Sequence, residues 1–332
     1  MDEAKNLNRK FDHKRKDTII FSTSSKGVLV VAFVFMSVIT HLLTGNFYTS
    51  YTIPAFVRQA TFMIIIGFAQ MLVLMVGGID LSVAGIAAFS SIAFSWLLQK
   101  AGLPFAVCLL FGMLVGALLG LINGTFISLW GIPPFIVTLC TSYFFRGVTY
   151  VVTGGAPIAG LPSSVTKYGS GVVLGFLPYP TLVMLFIGCI LYVMLRYTPL
   201  GRHIYAVGGN EKAASIVGIK TGRIKMVAYA LSGCISACAG ILTALRIGSA
   251  QLSIGATWVM PSITAAVIGG TSMKGGIGSV IGTVLGGLFM ATIGFCISVL
   301  GIASYWTDIL TGCIVLATVC VDAMRTKNIG NR

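Results

Sequence analysis

Charge is what this sequence has least of. Only 9% of its 332 residues are charged, against about 25% in an ordinary soluble domain. Carboxylates number eight in all. Asp2, Glu3, Asp12 and Asp17 sit in the first seventeen positions and Asp322 near the other end, leaving Asp80, Glu211 and Asp308 for everything between. The three histidines, His13, His41 and His203, are scattered. With no paired carboxylates, no nucleophile beside a base and no His cluster, the residues offer neither a hydrolytic centre nor a metal centre. CxxC and Cys/His spacings are missing too. Cys108, Cys140, Cys189, Cys234, Cys238, Cys296, Cys313 and Cys320 all fall in apolar runs and read as reduced packing residues.

Apolar residues make up 56% of the chain. A membrane helix needs roughly 17 to 25 predominantly apolar residues, and ten candidate spans can be drawn: 27–43, 60–76, 83–98, 105–128, 135–152, 172–195, 226–245, 259–268, 278–300 and 306–321. The first is expected to stay as an anchor, because no small-residue cleavage site follows it and the basic segment before it is long. The eighth is short, with Pro261 near its start and Gly269–Gly270 at its end, so a broken or re-entrant helix is expected. The fold class is therefore all-α, a polytopic transmembrane bundle of about ten spans.

The net charge of +14 raises the question of nucleic acid, but the basic residues occur in short blocks between apolar runs, which is a topology signal. With the amino terminus in the cytoplasm, 17 of the 22 Lys and Arg lie inside. The expected organisation is a basic cytoplasmic tail over 1–26, a membrane domain over 27–322 with a cytoplasmic connection at 196–225, and a cytoplasmic tail over 323–332. Arg58, Lys100, Arg146, Lys167 and Arg246 fall towards the outer side, where Arg146 and Arg246 are expected to snorkel. Gly112, Gly116, Gly120 and Gly124, and then Gly278, Gly282 and Gly286, recur every four positions. Such rows let helix backbones approach closely.

Three strings carry what function the residues suggest. GGIDLS at 77–82 has Gly77 and Gly78 for a turn, with Asp80 or Ser82 to cap the next helix. Structurally it is a capped turn; an ionisable group so close to hydrocarbon also makes it a functional candidate. The 196–225 connection contains GRHIYAVGGNEKAASIVGI at 201–219, where Asn210 can cap a short helix over 208–214 and Glu211 suits its first turn. That helix reads equally as a solvated cover over the bundle or as a knob for a partner. IGGTSMKGGIGSVIGT at 268–283 brackets Lys274 with glycines but lacks the Walker spacing, so a membrane turn is expected. The Gly-Gly pairs at 77 and 269 each follow an inward-running span, which hints at internal repetition.

With LINGTFI at 121–127, GIPPFIVTL at 131–139, ALSGCISACAGIL at 230–242 and AVIGGTSMKGGIGSVIGT at 266–283, these strings resemble the permease subunits of ABC importers for ribose, galactose, xylose, arabinose and autoinducer-2. The likeness spans roughly 28–324. It implies a dimeric pore, homodimeric or heterodimeric, whose partners are the lipid bilayer, a cytoplasmic ABC ATPase and an extracytoplasmic sugar-binding protein. No nucleic acid is among them, no cofactor is bound by this chain, and ATP and Mg belong to the ATPase. It assigns 201–219 to a coupling element, with Arg202, Tyr205, Gly208, Gly209, Asn210, Glu211, Ala213, Ala214 and Gly218 as its residues. Gly77, Gly78, Asp80, Ser82, Asn123, Thr264, Gly269 and Gly270 become candidates for the translocation path or its gate. The chain departs from the pattern at 259–262, where Val, Met, Pro and Ser replace the usual Glu-Leu-Asp stretch, and at Ala84, where glycine is common. The expected function is inner-membrane monosaccharide import without chemistry on this chain. The alternative is an ion-coupled secondary transporter, and a membrane-embedded enzyme is the third class, disfavoured by the missing catalytic cluster.

Overall fold

The computed structural model describes residues 27–173, 175, 177–303 and 305–330; the basic tail at 1–26 lies outside them. Among the described residues, eight helices are long and apolar enough to cross a membrane. They are α1 (Gly27–Thr44), α2 (Thr52–Met75), α3 (Val83–Lys100), α4 (Phe105–Trp130), α5 (Pro134–Thr153), α7 (Tyr179–Tyr197), α10 (Thr221–Ile247) and α12 (Val280–Val299). Between them lie α6 (Ser163–Ser170), α8 (Pro199–Gly209), α9 (Glu211–Ile216) and the ten-residue α11 (Val259–Ile268), with α13 (Tyr305–Gly330) last. At 1.5 Å per residue α11 reaches about 15 Å, half the hydrocarbon core, so it cannot cross alone.

Several boundaries differ from expectation for identifiable reasons. The sixth span begins seven residues later than 172. There β2 (Val172–Val173) pairs antiparallel with β3 (Leu177–Pro178), and Pro180 sits in the first turn of α7. An unbroken apolar run carries no period, so strand and helix look alike in it. The seventh span starts earlier, at Thr221, which places Lys225 on a membrane helix and not in the connection. The ninth starts at Val280 because the Ser279 hydroxyl accepts from Gly282 N, a helix cap at 3.2 Å.

α2 runs through the middle, with Ile65, Ala69, Met71 and Leu72 to Met75 fully buried. α7, α10, α11 and α12 pack directly against it, α3 packs on α10, and α4 and α5 lie against α3. The glycine rows do what their spacing suggests. A Cβ on Gly112 would meet Ile241, and one on Gly116, Gly120 or Gly124 would run into the backbone or side chains of α10 between Met226 and Ala237. Gly282 and Gly286 press likewise on the backbone of Gly269 and Ala265. All eight cysteines are free thiols.

The two ends of the bundle are built differently. At one, β1 (Ile158–Ala159) pairs antiparallel with β4 (Ser249–Ala250), and α6 is tied down by Arg58 Nη2 donating to Ser170 O at 2.9 Å. The other, the basic end, carries α8 and α9 and the turns at 76–82, 131–134 and 269–279.

Candidate functional site

Residues 77–82 sit where five helices meet. Asp80 is completely buried, and a buried carboxylate persists only when its oxygens are hydrogen-bonded. Asp80 Oδ1 accepts from Ser82 N at 2.9 Å and Ser82 Oγ at 2.5 Å, and Oδ2 accepts from Ser232 Oγ on α10 at 3.1 Å. Ser82 Oγ in turn accepts from Asn123 Nδ2 of α4 at 2.7 Å. The main-chain oxygens of the turn are held too. Gln70 Nε2 of α2 donates to Asp80 O at 2.5 Å and Tyr229 Oη of α10 donates to Ile79 O at 3.4 Å, while Thr138 Oγ1 of α5, 3.2 Å from Ile79 O, shares its one proton with the closer Pro134 O at 2.9 Å in its own helix. Burial pushes the Asp80 carboxyl above its usual range, an effect partly offset by the hydrogen bonds from Ser82 and Ser232.

This corrects the expected role of the string. Ser82 is the residue before α3, yet neither its side chain nor that of Asp80 caps that helix. The carboxylate folds back onto Ser82 and reaches across to α10. Thr264, Gly269 and Gly270 are not part of this cluster. The Thr264 hydroxyl is spent on Met260 O at 2.8 Å within α11, and Gly269 forms the α11–α12 contact.

The glycine strings meet at the basic end. Gly276 N donates to Met75 O at 2.9 Å, and Tyr205 Oη donates to Gly278 O at 3.0 Å. A Cβ at Gly208 would run into Met75 O and Gly276 N, and one at Gly275 would lie 2.7 Å from Gly208 O and 2.9 Å from Gly77 N. Gly276 faces Gly209 as closely. No side chain larger than hydrogen fits among three backbones this close. Tyr229 packs on Gly78 from the other side.

α8 and α9 form a two-helix hairpin hinged at Asn210. The expected helix over 208–214 is in fact two: Gly208 and Gly209 end α8, and α9 starts at Glu211. Asn210 Oδ1 accepts from Ala213 N at 3.0 Å, the cap read from sequence. The far end is closed by Gly218, whose φ of 86° lets Ile219 N reach Ala214 O at 3.0 Å and Gly218 N reach Ser215 O at 3.0 Å, a Schellman motif. Capping at both ends explains how six residues stay helical. Glu211 Oε2 accepts from Lys225 Nζ of α10 at 2.7 Å. Arg202 and Ala213 are exposed. Ala214, counted with the coupling element, is 4% exposed and packs on the bundle, whereas Ile216 and Val217 stand 85% and 75% exposed.

A cleft of about 340 Å³ opens between these parts, lined by Gly77, Gly78, Ser128, Pro133, Pro134, Glu211, Lys225 and Tyr229 among others. Gln70, Thr138, Tyr229 and Ser232 escaped the sequence reading. Gln70 could have been found, as an amide inside an apolar run is costly and asks for a partner; the others are hydroxyls among many. Among the described residues no three His, Cys, Asp or Glu side chains gather as a metal site. The cluster has buried donors and one carboxylate but no nucleophile–base pair, and what it does is bind helices to one another through a turn.

Residues 52–319 match the family model described as branched-chain amino acid transport system / permease component. The chain is 38% identical to the ribose import permease protein RbsC of Bacillus subtilis over 291 residues, 87% of this chain and 90% of that one. It is 31% identical over 301 residues to the D-allose transport system permease protein AlsC of Escherichia coli K12, covering 91% and 92% of the two. With the galactose/methyl galactoside import permease protein MglC of the same organism it shares 32% over 316 residues, 90% and 94% of the two. No solved structure matches. A match over most of the chain, on a bundle with eight candidate spans, places it plainly: the chain belongs to the permease-component family of branched-chain amino acid transport systems.

Proposed function

We propose that the chain is the membrane subunit of an ABC importer that passes a monosaccharide from an extracytoplasmic binding protein to the cytoplasm, while a separate ATPase hydrolyses ATP with Mg. The observation that carries the reading is the α8–α9 hairpin. Its α9 is capped at both ends, it is locked by backbone contacts to Met75 and to Gly275–Gly276, and it presents Ile216 and Val217 outward at the basic end. Two exposed apolar side chains on a rigid knob suit insertion into a partner's groove. Relatives named for ribose, allose and galactose support a sugar. So does the chemistry of the interior, whose buried polar side chains are Ser, Thr, Asn and Gln, with Asp80 as the one buried charge among the described residues. Hydroxyls and amides match a neutral polyol, whereas a zwitterionic amino acid asks for fixed counter-charges.

The basic end is assigned to the cytoplasm by the distribution of Lys and Arg, and both termini with it. A second permease subunit, identical or not, is placed against α5, where Tyr143, Phe144 and Arg146 are all exposed. A charged residue partway along an apolar helix is stabilised by a polar neighbour or a water-filled path.

The test is the double variant Ile216→Glu with Val217→Glu in the complex purified with its ATPase and binding protein. Both positions are exposed, so the permease is expected to purify in normal yield while ATPase association and sugar uptake fall together. Association at the wild-type level would remove the hairpin from the ATPase interface. Orientation is read separately: Ser215→Cys, in a background without the native cysteines, is expected to resist an impermeant thiol reagent in intact cells.

A further inference from the structure

Lys225, Tyr229 and Ser232 follow one another on α10 at intervals of four and three, so they share a face and span about 10 Å of helix. The first is bound to the hairpin and the other two to the 77–82 turn. Lys225 Nζ holds Glu211 of α9 at 2.7 Å, Tyr229 Oη reaches Ile79 O at 3.4 Å, and Ser232 Oγ reaches Asp80 Oδ2 at 3.1 Å. We infer that this face of α10 is the linkage by which movement of the α8–α9 hairpin alters the hydrogen bonds on the Asp80 turn, with the Glu211–Lys225 ion pair as its outer joint.

Four features support a linkage over plain packing. First, the ion pair is not there for stability: its side chains are 48% and 19% exposed, and pairs so open to solvent contribute little. What it does fix is the position of α9 against α10. Second, α10 is stiff against its neighbour, since Gly116 and Gly120 bring the α4 backbone onto Gly233 and Tyr229; a displacement of α10 carries α4 and Asn123 with it. Third, there is room to move, because a cleft of about 340 Å³ is lined by Glu211, Lys225 and Tyr229 together with Gly77, Gly78 and the 131–134 turn. Fourth, the turn has somewhere to go. Gln70 Oε1 and Asn123 Oδ1 are buried without a hydrogen-bond partner, although the other atom of each amide is already bound to the turn. Each amide therefore keeps one acceptor that the present hydrogen bonds of the turn leave unused, which a rearranged turn could take up.

The inference rests on the reading of the hairpin as the ATPase-coupling element, and the experiment keeps the two apart. In the whole reconstituted complex, ATPase co-purification, ATP turnover and sugar uptake are measured together for Lys225→Glu, Glu211→Lys and their combination, and for Tyr229→Phe and Ser232→Ala. Sugar moved per ATP hydrolysed is expected to fall at least about fivefold in Lys225→Glu, Tyr229→Phe and Ser232→Ala, the size of an ordinary coupling between sites, with the ATPase still bound. The charge-swapped pair Glu211→Lys with Lys225→Glu is expected to recover most of the ratio lost in Lys225→Glu. A structural role would lower the amount of folded complex without changing that ratio, and would not be rescued by the swap. An unchanged ratio in Tyr229→Phe and Ser232→Ala, or a swap no better than Lys225→Glu alone, overturns the linkage even if the ATPase stays bound; loss of the ATPase through Ile216 and Val217 bears only on the coupling reading.

Discussion

α4 and α10 lie against each other along most of their length, yet they are opposite in make-up. α4 is the most apolar of the eight candidate spans and only 22% of its apolar stretch is buried; the figure for α10 is 67%. α4 turns Leu110, Leu114 and Leu118 outward and keeps Gly112, Gly116, Gly120 and Asn123 for the inside. α10 buries Ser232, Ser236, Gly233, Ala237 and Gly240. In water the apolar helix would be the buried one. Where lipid is as apolar as leucine, burying leucine gains nothing, and helices are joined by what lipid cannot offer: backbone contact through small residues and hydrogen bonds between polar ones.

The sharpest way to break this contrast is to put bulk into the seam. Gly120→Val would drive a side chain into the Tyr229 backbone, which cannot rotate out of the way. Overpacking costs about 1 to 3 kcal/mol where side chains relax, and the upper end or beyond is expected here. The readout is loss of monodisperse permease after solubilisation and a lower apparent Tm.

Next in size is the polar half of the seam. Asp80→Leu strands the Ser82 amide and two hydroxyls, at about 1 to 3 kcal/mol for each buried group left unpaired. Asp80→Asn keeps an acceptor and is expected to leave the protein folded and inserted with slower uptake. Wild-type uptake in Asp80→Asn at equal expression would reduce the turn to a scaffold. These two proteins also have an expected pH signature. Because burial raises the pKa of the folded carboxyl above the one it has in the unfolded chain, the folded state holds its proton more tightly than the unfolded chain does. The contribution of Asp80 to stability is thus complete below the unfolded pKa and lost as pH rises through the folded pKa. The Tm of wild type relative to Asp80→Asn should climb as pH is lowered from neutral, and a difference independent of pH would contradict the burial of the carboxyl.

Asn210→Ala removes the cap of a six-residue helix outside the seam. About 1 kcal/mol is expected, read as faster amide exchange across 211–216 with the membrane helices unaffected. Leu118→Ala, on the outward face of α4, is expected to cost under about 0.5 kcal/mol. A larger effect would mean that this face contacts protein and not lipid.

Much of this was legible. Apolar runs of membrane length gave most of the helices, Asn210 and Glu211 announced the start of α9, and the glycine spacing pointed to close helix contacts. Local ambiguity accounts for the differences: 172–178 looks like helix because it is apolar throughout, and nothing in the string around Ala214 says whether that small side chain faces the bundle or a partner. Small residues suit tight packing on either side of a helix, so size alone does not say which side is covered. Capping of α3 by Asp80 was a fair inference from neighbours in sequence, but Ser232, 152 residues away, takes up that carboxylate instead.

The sequence by itself determined that the chain crosses a membrane repeatedly, which end is basic, and where glycine would let backbones touch, because hydropathy, charge and the absence of a Cβ are properties of residues and their spacing. Only the tertiary structure decided that the three glycine strings interlock, that Asp80 binds α10 through Ser232, and that Ala214 faces in while Ile216 and Val217 face out. The reason is physical. In lipid the hydrophobic drive does not sort one apolar face from another, so the arrangement rests on hydrogen bonds and van der Waals contacts between residues far apart in the chain, and no local pattern records them.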